Sequence, residues 1–165
     1  MLRDVAGDAT LSAALRAYDP AQDYAKDSSR SSIERLLEQA GTRRDLRWFF
    51  ADWVDADKGL PDLTILSAFP SSPSPGSWLV AVNVSNSGYA AAEVPVTVRS
   101  DENSTTQRVL VPARGKAVQR ILVQGKPQEV QVNDGTVPET QASVHITRLE
   151  DHASDPQSTG SPAKP

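Results

Sequence analysis

Cysteine is absent from this chain of 165 residues, and histidine occurs only twice. Without cysteine there are no disulfides, no thiolate zinc sites and no cysteine nucleophile. His145 and His152 lie outside any His-Glu-x-x-His segment, and the sequence has no Gly-x-Ser-x-Gly motif and no glycine-rich phosphate loop. The sequence therefore predicts no catalytic residues, no metal ligands and no cofactor-binding residues in this chain.

Long apolar runs and an excess of positive charge are also lacking. No segment approaches the roughly 18 consecutive apolar residues of a membrane-spanning helix. The net charge is −4 and the pI is near 5.1, which argues against nucleic-acid binding because phosphate contacts need clustered Lys and Arg. We interpret the densest basic group, Arg43, Arg44 and Arg47, as the solvated face of a helix.

The N-terminus does not have the form of a signal peptide, because acidic residues interrupt any apolar core. If the protein is periplasmic or secreted, we expect the export signal to lie outside this chain.

Residues 1 to about 60 show helical periodicity and form the first predicted unit. Two apolar stripes each predict an amphipathic helix: Leu11, Ala14, Leu15 and Tyr18, then Ile33, Leu36, Leu37 and Ala40. Asp8 is the expected N-cap of the first helix. Ser31 and Glu34 have the spacing of a capping box for the second helix, and Gly41 is a typical C-terminal stop.

A third predicted helix carries four of the nine aromatic residues of the chain. Leu46, Phe49, Phe50 and Trp53 fall at i, i+3, i+4 and i+7, one stripe of a helix, with Trp48 beside them. Thr42 and Asp45 suggest a capping box at its start. So many aromatic residues are not left in water on a stable monomer. We therefore expect this helix to contact the following domain, an upstream part or a second copy; the candidate structural or interface residues are Leu46, Trp48, Phe49, Phe50 and Trp53.

Residues 62 to about 150 change to an alternation of period two. About seven short, β-branched strands separated by turn signals predict an antiparallel β-sandwich of immunoglobulin or fibronectin type. We expect Phe69 and Trp78 in its core, and Pro95 indicates an edge strand. We interpret His145 as a surface or rim residue, on the strand face opposite Val144 and Ile146.

Residues 151–165 are rich in Ser, Pro and other polar residues, and we expect a disordered tail. Two segments match the N-glycosylation sequon, Asn83-Val-Ser85 and Asn103-Ser-Thr105. In a chain with this much Ser and Thr, we expect such matches to arise by chance.

Four motifs occur in an order that resembles the C-terminal region of zinc aminopeptidases, the aminopeptidase-N-like branch of the gluzincin metallopeptidases. They are Met1-Leu2-Arg3-Asp4-Val5-x-Gly7-Asp8, Ala14-Leu15-Arg16-Ala17-Tyr18, Asp45-Leu46-x-Trp48-Phe49-Phe50-x-x-Trp53 and Gly59-x-Pro61. The resemblance implies that residues 1–60 end the helical domain of a peptidase and that residues 62–150 are the β-sandwich that follows it. Residues 92–98 and 127–135 are similar to that sandwich in bacterial members.

The catalytic motifs of that family precede this region and match nothing here, so the resemblance places zinc in the parent peptidase domain only. We expect a non-catalytic C-terminal fragment that supports the peptidase domain, its main partner. Two other classes remain open. One is a free-standing sandwich for interaction, or for homo-oligomerisation through the third predicted helix, called here the aromatic helix (residues 46–53). The other is a carbohydrate-binding module. For sugar stacking the sandwich offers few aromatic residues: Phe69, Trp78 and Tyr89.

Overall fold

The computed structural model describes residues 1–24, 31–141 and 144–149, in which helices precede strands. The helices are α1 (Leu2–Ala6), α2 (Asp8–Ala17), a π-helical turn (Pro20–Tyr24), α3 (Ser31–Gln39) and α4 (Arg47–Phe49), which continues as a π-helix over Phe50–Asp55. The strands are β1 (Leu63–Ser74), β2 (Ser77–Asn86), β3 (Ala92–Ser100), β4 (Ser104–Val111), β5 (Gly115–Gln124), β6 (Pro127–Val132) and β7 (His145–Arg148). The predicted order of helices and antiparallel strands is confirmed. The predicted tail, 151–165, and His152 lie outside the described residues.

The strands form two antiparallel sheets, with the orders β1-β2-β5 and β4-β3-β6-β7. In a constant-type immunoglobulin sandwich the fourth strand joins the sheet of the first two. Here β4 pairs with β3 instead, which gives the three-plus-four arrangement of fibronectin type III domains. Alternating β-branched residues place one side chain in two between the sheets. The buried core is therefore largely valine: Leu63, Val80, Val82, Val84, Ala92, Val94, Val96, Val98, Val109, Val111, Ile121, Val123, Val130, Val132 and Val137.

The prediction that Phe69 belongs to the core is wrong, because a β-bulge reverses the faces of β1. Ile65 lies opposite Val84, but Ser67 already lies opposite Asn83, so one extra residue enters β1 at Leu66. A one-residue insertion exchanges the inward and outward positions that follow it. Phe69 consequently points outward and is 64% exposed.

The prediction that Pro95 marks an edge strand is also wrong, since β3 lies between β4 and β6. Pairing with β6 begins only at Val96, and the Pro95 carbonyl accepts a hydrogen bond from Asn133 N at 2.9 Å. The N–H and C=O of a strand residue face the same neighbour. Proline has no N–H, and at position 95 that N–H would face the end of β6, where pairing with β3 stops. Little strand-to-strand hydrogen bonding is therefore lost.

The predicted faces of β7 are reversed. His145 lies opposite Val132 and Ile146 opposite Gln131. Because Val132 points into the core, His145 shares the inner face, and both Val144 and Ile146 are exposed.

Three details of the predicted helices are wrong. Gly7, not Asp8, is the N-cap of α2, and Asp8 forms an exposed ion pair with Arg3 at 3.1 Å. Leu15 is exposed, although its neighbour Ala14 is buried. The N-cap of α4 is Leu46, not Thr42 as the predicted capping box requires.

The predicted capping box of Thr42 and Asp45 does not form. Asp45 Oδ1 accepts from the backbone N of Arg47 at 3.0 Å, and Thr42 Oγ1 accepts from the N of Arg44 at 3.4 Å. The capping box predicted at Ser31 concerns a side chain outside the described part.

The helices share a second, smaller hydrophobic cluster, made of Val5, Ala6, Ala14, Leu36, Leu37, Leu46, Phe49 and Phe50. Met1 and Trp53 are partly buried and pack against both clusters. The helices are therefore joined to one end of the sandwich by apolar contact. None of the described helices has the length and apolar character to cross a membrane.

Candidate functional site: the junction of helices and sandwich

Trp53 joins the aromatic helix to the start of β3. Its indole Nε1 donates to the carbonyl oxygen of Ala91 at 2.7 Å. Its ring is stacked against Phe49, with centroids 6.3 Å apart, and Phe49 meets Phe50 edge-on at 5.5 Å. An indole that is largely removed from water needs an acceptor for its N–H, and the buried residue Ala91 supplies it.

Asp52, the residue before Trp53, is bonded to the same backbone position. It is buried, with 8% exposure, and its Oδ2 accepts from the N of Ala91 at 2.9 Å. The other oxygen, Oδ1, accepts from Lys58 Nζ at 2.8 Å. Both backbone polar groups of Ala91 are thus satisfied by two neighbouring side chains of the helix.

Asp52 lies in the π-helix that continues α4. A π-helix closes i→i+5 hydrogen bonds, and here the N of Ala56 donates to the oxygen of Ala51 at 3.2 Å. The wider turn accommodates one residue more than an α-helical turn. From this π-helix, Asp52 contacts the sandwich at Ala91.

Desolvation by burial acts to raise the pKa of Asp52. The hydrogen bonds from Lys58 and from the N–H of Ala91, with the charge of Lys58, outweigh it and lower the pKa below the usual range of an aspartate. The group is therefore an ionised carboxylate at neutral pH. Removing only one partner of a buried ion pair is costly, because the remaining charge is left buried and unpaired.

A second buried carboxylate, Glu93, is the centre of a network that joins three parts of the chain. It is 7% exposed and accepts from Arg44 Nη2 and, at 2.9 Å, from Arg108 Nε. Arg108 also contacts Asp4 of α1 at 2.7 Å, and Arg44 donates to the carbonyl of Val5 at 3.1 Å. The interpretation of Arg44 as part of a solvated face is therefore wrong, because it connects the helices to β3.

The connection between the helices and β1 is fixed by close backbone contact. A Cβ added to Gly88 would lie 2.4 Å from the Leu60 carbonyl oxygen and 2.6 Å from the Pro61 Cα. Only a residue without a side chain permits this approach. The buried side chain of Asn86 accepts from the N of Asp62 at 3.1 Å, and its Nδ2 donates to the Ala90 carbonyl at 2.9 Å.

Glu139 fixes the first residue of β1. Its side chain is fully buried and accepts from the N of Leu63 at 2.8 Å and from Asn133 Nδ2 at 2.8 Å. His145 Nε2 lies 2.9 Å from Glu139 Oε2. His145 is thus a partner of a structural carboxylate.

Of the predicted residues, only Trp53 is described as packing against the core of the sandwich. Leu46, Phe49 and Phe50 are buried in the helical cluster, whereas Trp48 and Trp53 are partly buried against it. Sequence reasoning missed the polar contacts of Asp52 and Glu93. The available signal was weak: each is a lone acidic residue within an apolar segment.

The chemistry of the junction is that of attachment. Within the described ranges, no group of three or more His, Asp or Glu residues is placed to ligate a metal ion. The buried carboxylates are instead occupied by hydrogen bonds from backbone N–H groups, Lys58, Arg44 and Arg108.

No protein-family model matches the sequence, and no curated protein matches it. Three solved β-glucosidases are similar over part of their structure. The GH3 β-glucosidase of Bifidobacterium adolescentis is 16% identical, with a TM-score of 0.32, over 54% of this chain and 17% of that one. A β-glucosidase of Erythrobacter marinus is 17% identical, with a TM-score of 0.33, over 54% and 15%. One of Kluyveromyces marxianus is 17% identical, with a TM-score of 0.29, over 55% and 14%.

The matched part is therefore less than a fifth of each β-glucosidase.

Proposed function

We propose that this chain is the non-catalytic C-terminal part of a zinc aminopeptidase-like protein and that it supports the peptidase domain. The observation that carries the proposal is the junction, where buried Asp52 and Glu93 tie the helices to β3. Because these buried carboxylates are bonded to groups on the other part of the chain, to the N–H of Ala91 and to the side chain of Arg44, the helices have a defined orientation on the sandwich. The motif order supplies the resemblance to the parent family.

In such a parent, zinc in the peptidase domain would polarise the water that hydrolyses an N-terminal peptide bond. The residues of this chain have a structural role instead. The aromatic helix and α1 complete the helical wall, and the sandwich holds that wall at Ala91 and Glu93. Zinc and the catalytic groups belong to the preceding peptidase domain.

Turnover of aminoacyl anilides, together with metal analysis of the purified chain, tests the non-catalytic assignment. We expect no hydrolysis and no stoichiometric zinc. Stoichiometric zinc with turnover would contradict it. The reading frame upstream of Met1 tests the parent: we expect a His-Glu-x-x-His motif there, and a frame without one would contradict the family proposal.

The supporting role is tested in the longer protein with Asp52→Asn. We expect reduced thermal stability and a proportional loss of peptidase activity on heating. Asp57→Asn makes the same charge change at an exposed position five residues on, and it should leave both unchanged. Equal behaviour of the two variants would mean that the junction does not support the peptidase domain.

A second candidate is an interaction or oligomerisation module, favoured by the outer face of the β1-β2-β5 sheet. Phe69, Val118 and Leu122 are at least half exposed there. Light scattering over a concentration series and glycan binding of the wild type and Phe69→Ser test this candidate. A dimer through the aromatic helix has less support, because Phe49 and Phe50 are buried within the chain.

A further inference from the structure

We propose that Asn103 is an acceptor for an N-linked glycan. Both sequons satisfy the Asn-x-Ser/Thr pattern, but they lie in different surroundings. Asn83 is in β2, the middle strand of its sheet, opposite Ser67 on one side and Val118 on the other. Its Oδ1 is buried. A transferase cannot enclose that asparagine without separating the sheet, so Asn83 is excluded as an acceptor.

Asn103 lies in the turn between β3 and β4 and is exposed. Its carbonyl oxygen accepts from the N of Ser100 at 2.8 Å, and its Oδ1 accepts weakly from Ser100 Oγ at 3.4 Å. No described residue accepts a hydrogen bond from its Nδ2. The nitrogen that must form the glycosidic bond thus belongs to an exposed residue and is not engaged by a described acceptor.

The flanking residues complete the recognition segment Asp101-Glu102-Asn103-Ser104-Thr105. Thr105 supplies the hydroxyl two positions after the asparagine, at the start of β4. β4 is an edge strand, so a transferase can approach Thr105 from its open side. Asp101, two positions before the asparagine, is exposed and supplies the carboxylate that bacterial-type oligosaccharyltransferases select.

The reaction requires a lipid-pyrophosphate-linked oligosaccharide as donor. The Asn103 Nδ2 attacks the anomeric carbon of the first sugar and forms the N–C bond. The bond from that carbon to the pyrophosphate oxygen breaks, the lipid pyrophosphate leaves with the electron pair, and the amide gives up one proton. No oxidation or reduction takes place.

The test is transfer in vitro to the purified, folded full chain by a bacterial-type single-subunit oligosaccharyltransferase, with a sequon peptide as positive control. Intact-mass analysis should show addition of one glycan. Asn103→Gln should abolish the mass shift, and Asn83→Gln should leave it unchanged. Absence of a shift in wild type while the peptide is modified, or a shift that persists in Asn103→Gln, would overturn the proposal.

Two matched variants test recognition of the turn. Asp101→Asn and Glu102→Gln each remove one exposed carboxylate, but only Asp101 stands two positions before the asparagine. With the bacterial-type enzyme, Asp101→Asn should lose the mass shift and Glu102→Gln should keep it. Equal loss in both variants would contradict recognition through Asp101.

Discussion

The helices and the sandwich of this chain are stabilised in different ways. The sandwich encloses a continuous core of small β-branched side chains between two hydrogen-bonded sheets. The helices share only a small cluster of their own, and one side of it is completed by Trp53 and Met1, which also contact the sandwich. Their remaining attachment is polar and depends on buried Asp52 and Glu93.

This difference indicates a one-way dependence. Two hydrogen-bonded sheets that pack face to face satisfy most of their own backbone N–H and C=O groups. A helical segment of about 60 residues with few buried side chains is marginal by itself, because small units bury too little surface to offset conformational entropy. We infer that the sandwich stabilises the helices and needs little from them in return.

Separation of the two parts should have the largest effect. Residues 60–165 should give a β-type circular dichroism spectrum and a cooperative unfolding transition. Residues 1–59 should show little helix, because isolated short helices are marginal in water. The cut precedes Pro61, which is buried and accepts from the N of Thr140 at 3.3 Å. A stable helical fold of residues 1–59 alone would contradict the dependence.

Phe50→Ala should have the next largest effect. Phe50 is 3% exposed in the helical cluster, and truncation of a buried Phe costs about 3–5 kcal/mol. Hydrogen exchange should show loss of protection in the helices before the strands. Val54→Ala is the control, because Val54 is half exposed and its change should stay within about 0.5 kcal/mol. Simultaneous loss of protection in the strands would mean that the two parts unfold as one unit.

Asp52→Asn should cost about 1–3 kcal/mol, because it removes the charge that pairs with Lys58 at the junction. The folded pKa of Asp52 is below its unfolded value. Its contribution is therefore complete above the unfolded pKa of about 3.9 and is lost as pH falls through the folded pKa. The difference in unfolding free energy between wild type and variant should stay constant from pH 7 to 5 and shrink below about pH 4. A difference that already shrinks above pH 5 would contradict the lowered pKa.

The order of the elements was predictable because the hydrophobic period changes from 3.6 to 2 near residue 60. The inner faces of β2 and β3 also followed directly from alternation, as in Val80, Val82 and Val84. Single insertions were not predictable in the same way. The extra residue at Leu66 reverses the faces of β1, and no local turn signal marks it in the sequence.

The polar half of the junction could not be predicted for a related reason. Asp52 lies in the π-helix after Phe49, and its backbone partner Ala91 lies 39 positions away. Arg44 has the sequence context of an exposed residue, yet its partner Glu93 lies 49 positions away. Local patterns carry no information about such a pair.

The smallest effect is expected at Asp45, which precedes α4 and provides the comparison with Asp52 in the π-helix that continues α4. Hydrogen bonds from the side chain of Arg47, at 2.9 and 2.5 Å, and from its backbone N lower the pKa of Asp45 to about 2. Both side chains are more than half exposed. Exposed pairs contribute little to stability because water screens them.

Arg47→Gln should raise the Asp45 pKa toward the usual value of 3.8, as measured by NMR titration of its carboxyl carbon. Since the folded pKa of Asp45 is lowered, its contribution is present above the unfolded pKa and is lost as pH falls toward 2. The unfolding midpoint at neutral pH should nevertheless change far less than in Asp52→Asn. Asp45 and Asp52 both have pKa values lowered by neighbouring hydrogen-bond donors. The property in which they differ would then be burial, because only Asp52 is buried at the contact with the sandwich. If Arg47→Gln destabilised the chain as much as Asp52→Asn, the burial of Asp52 beside Ala91 would not explain why Asp52 matters more than the exposed Asp45.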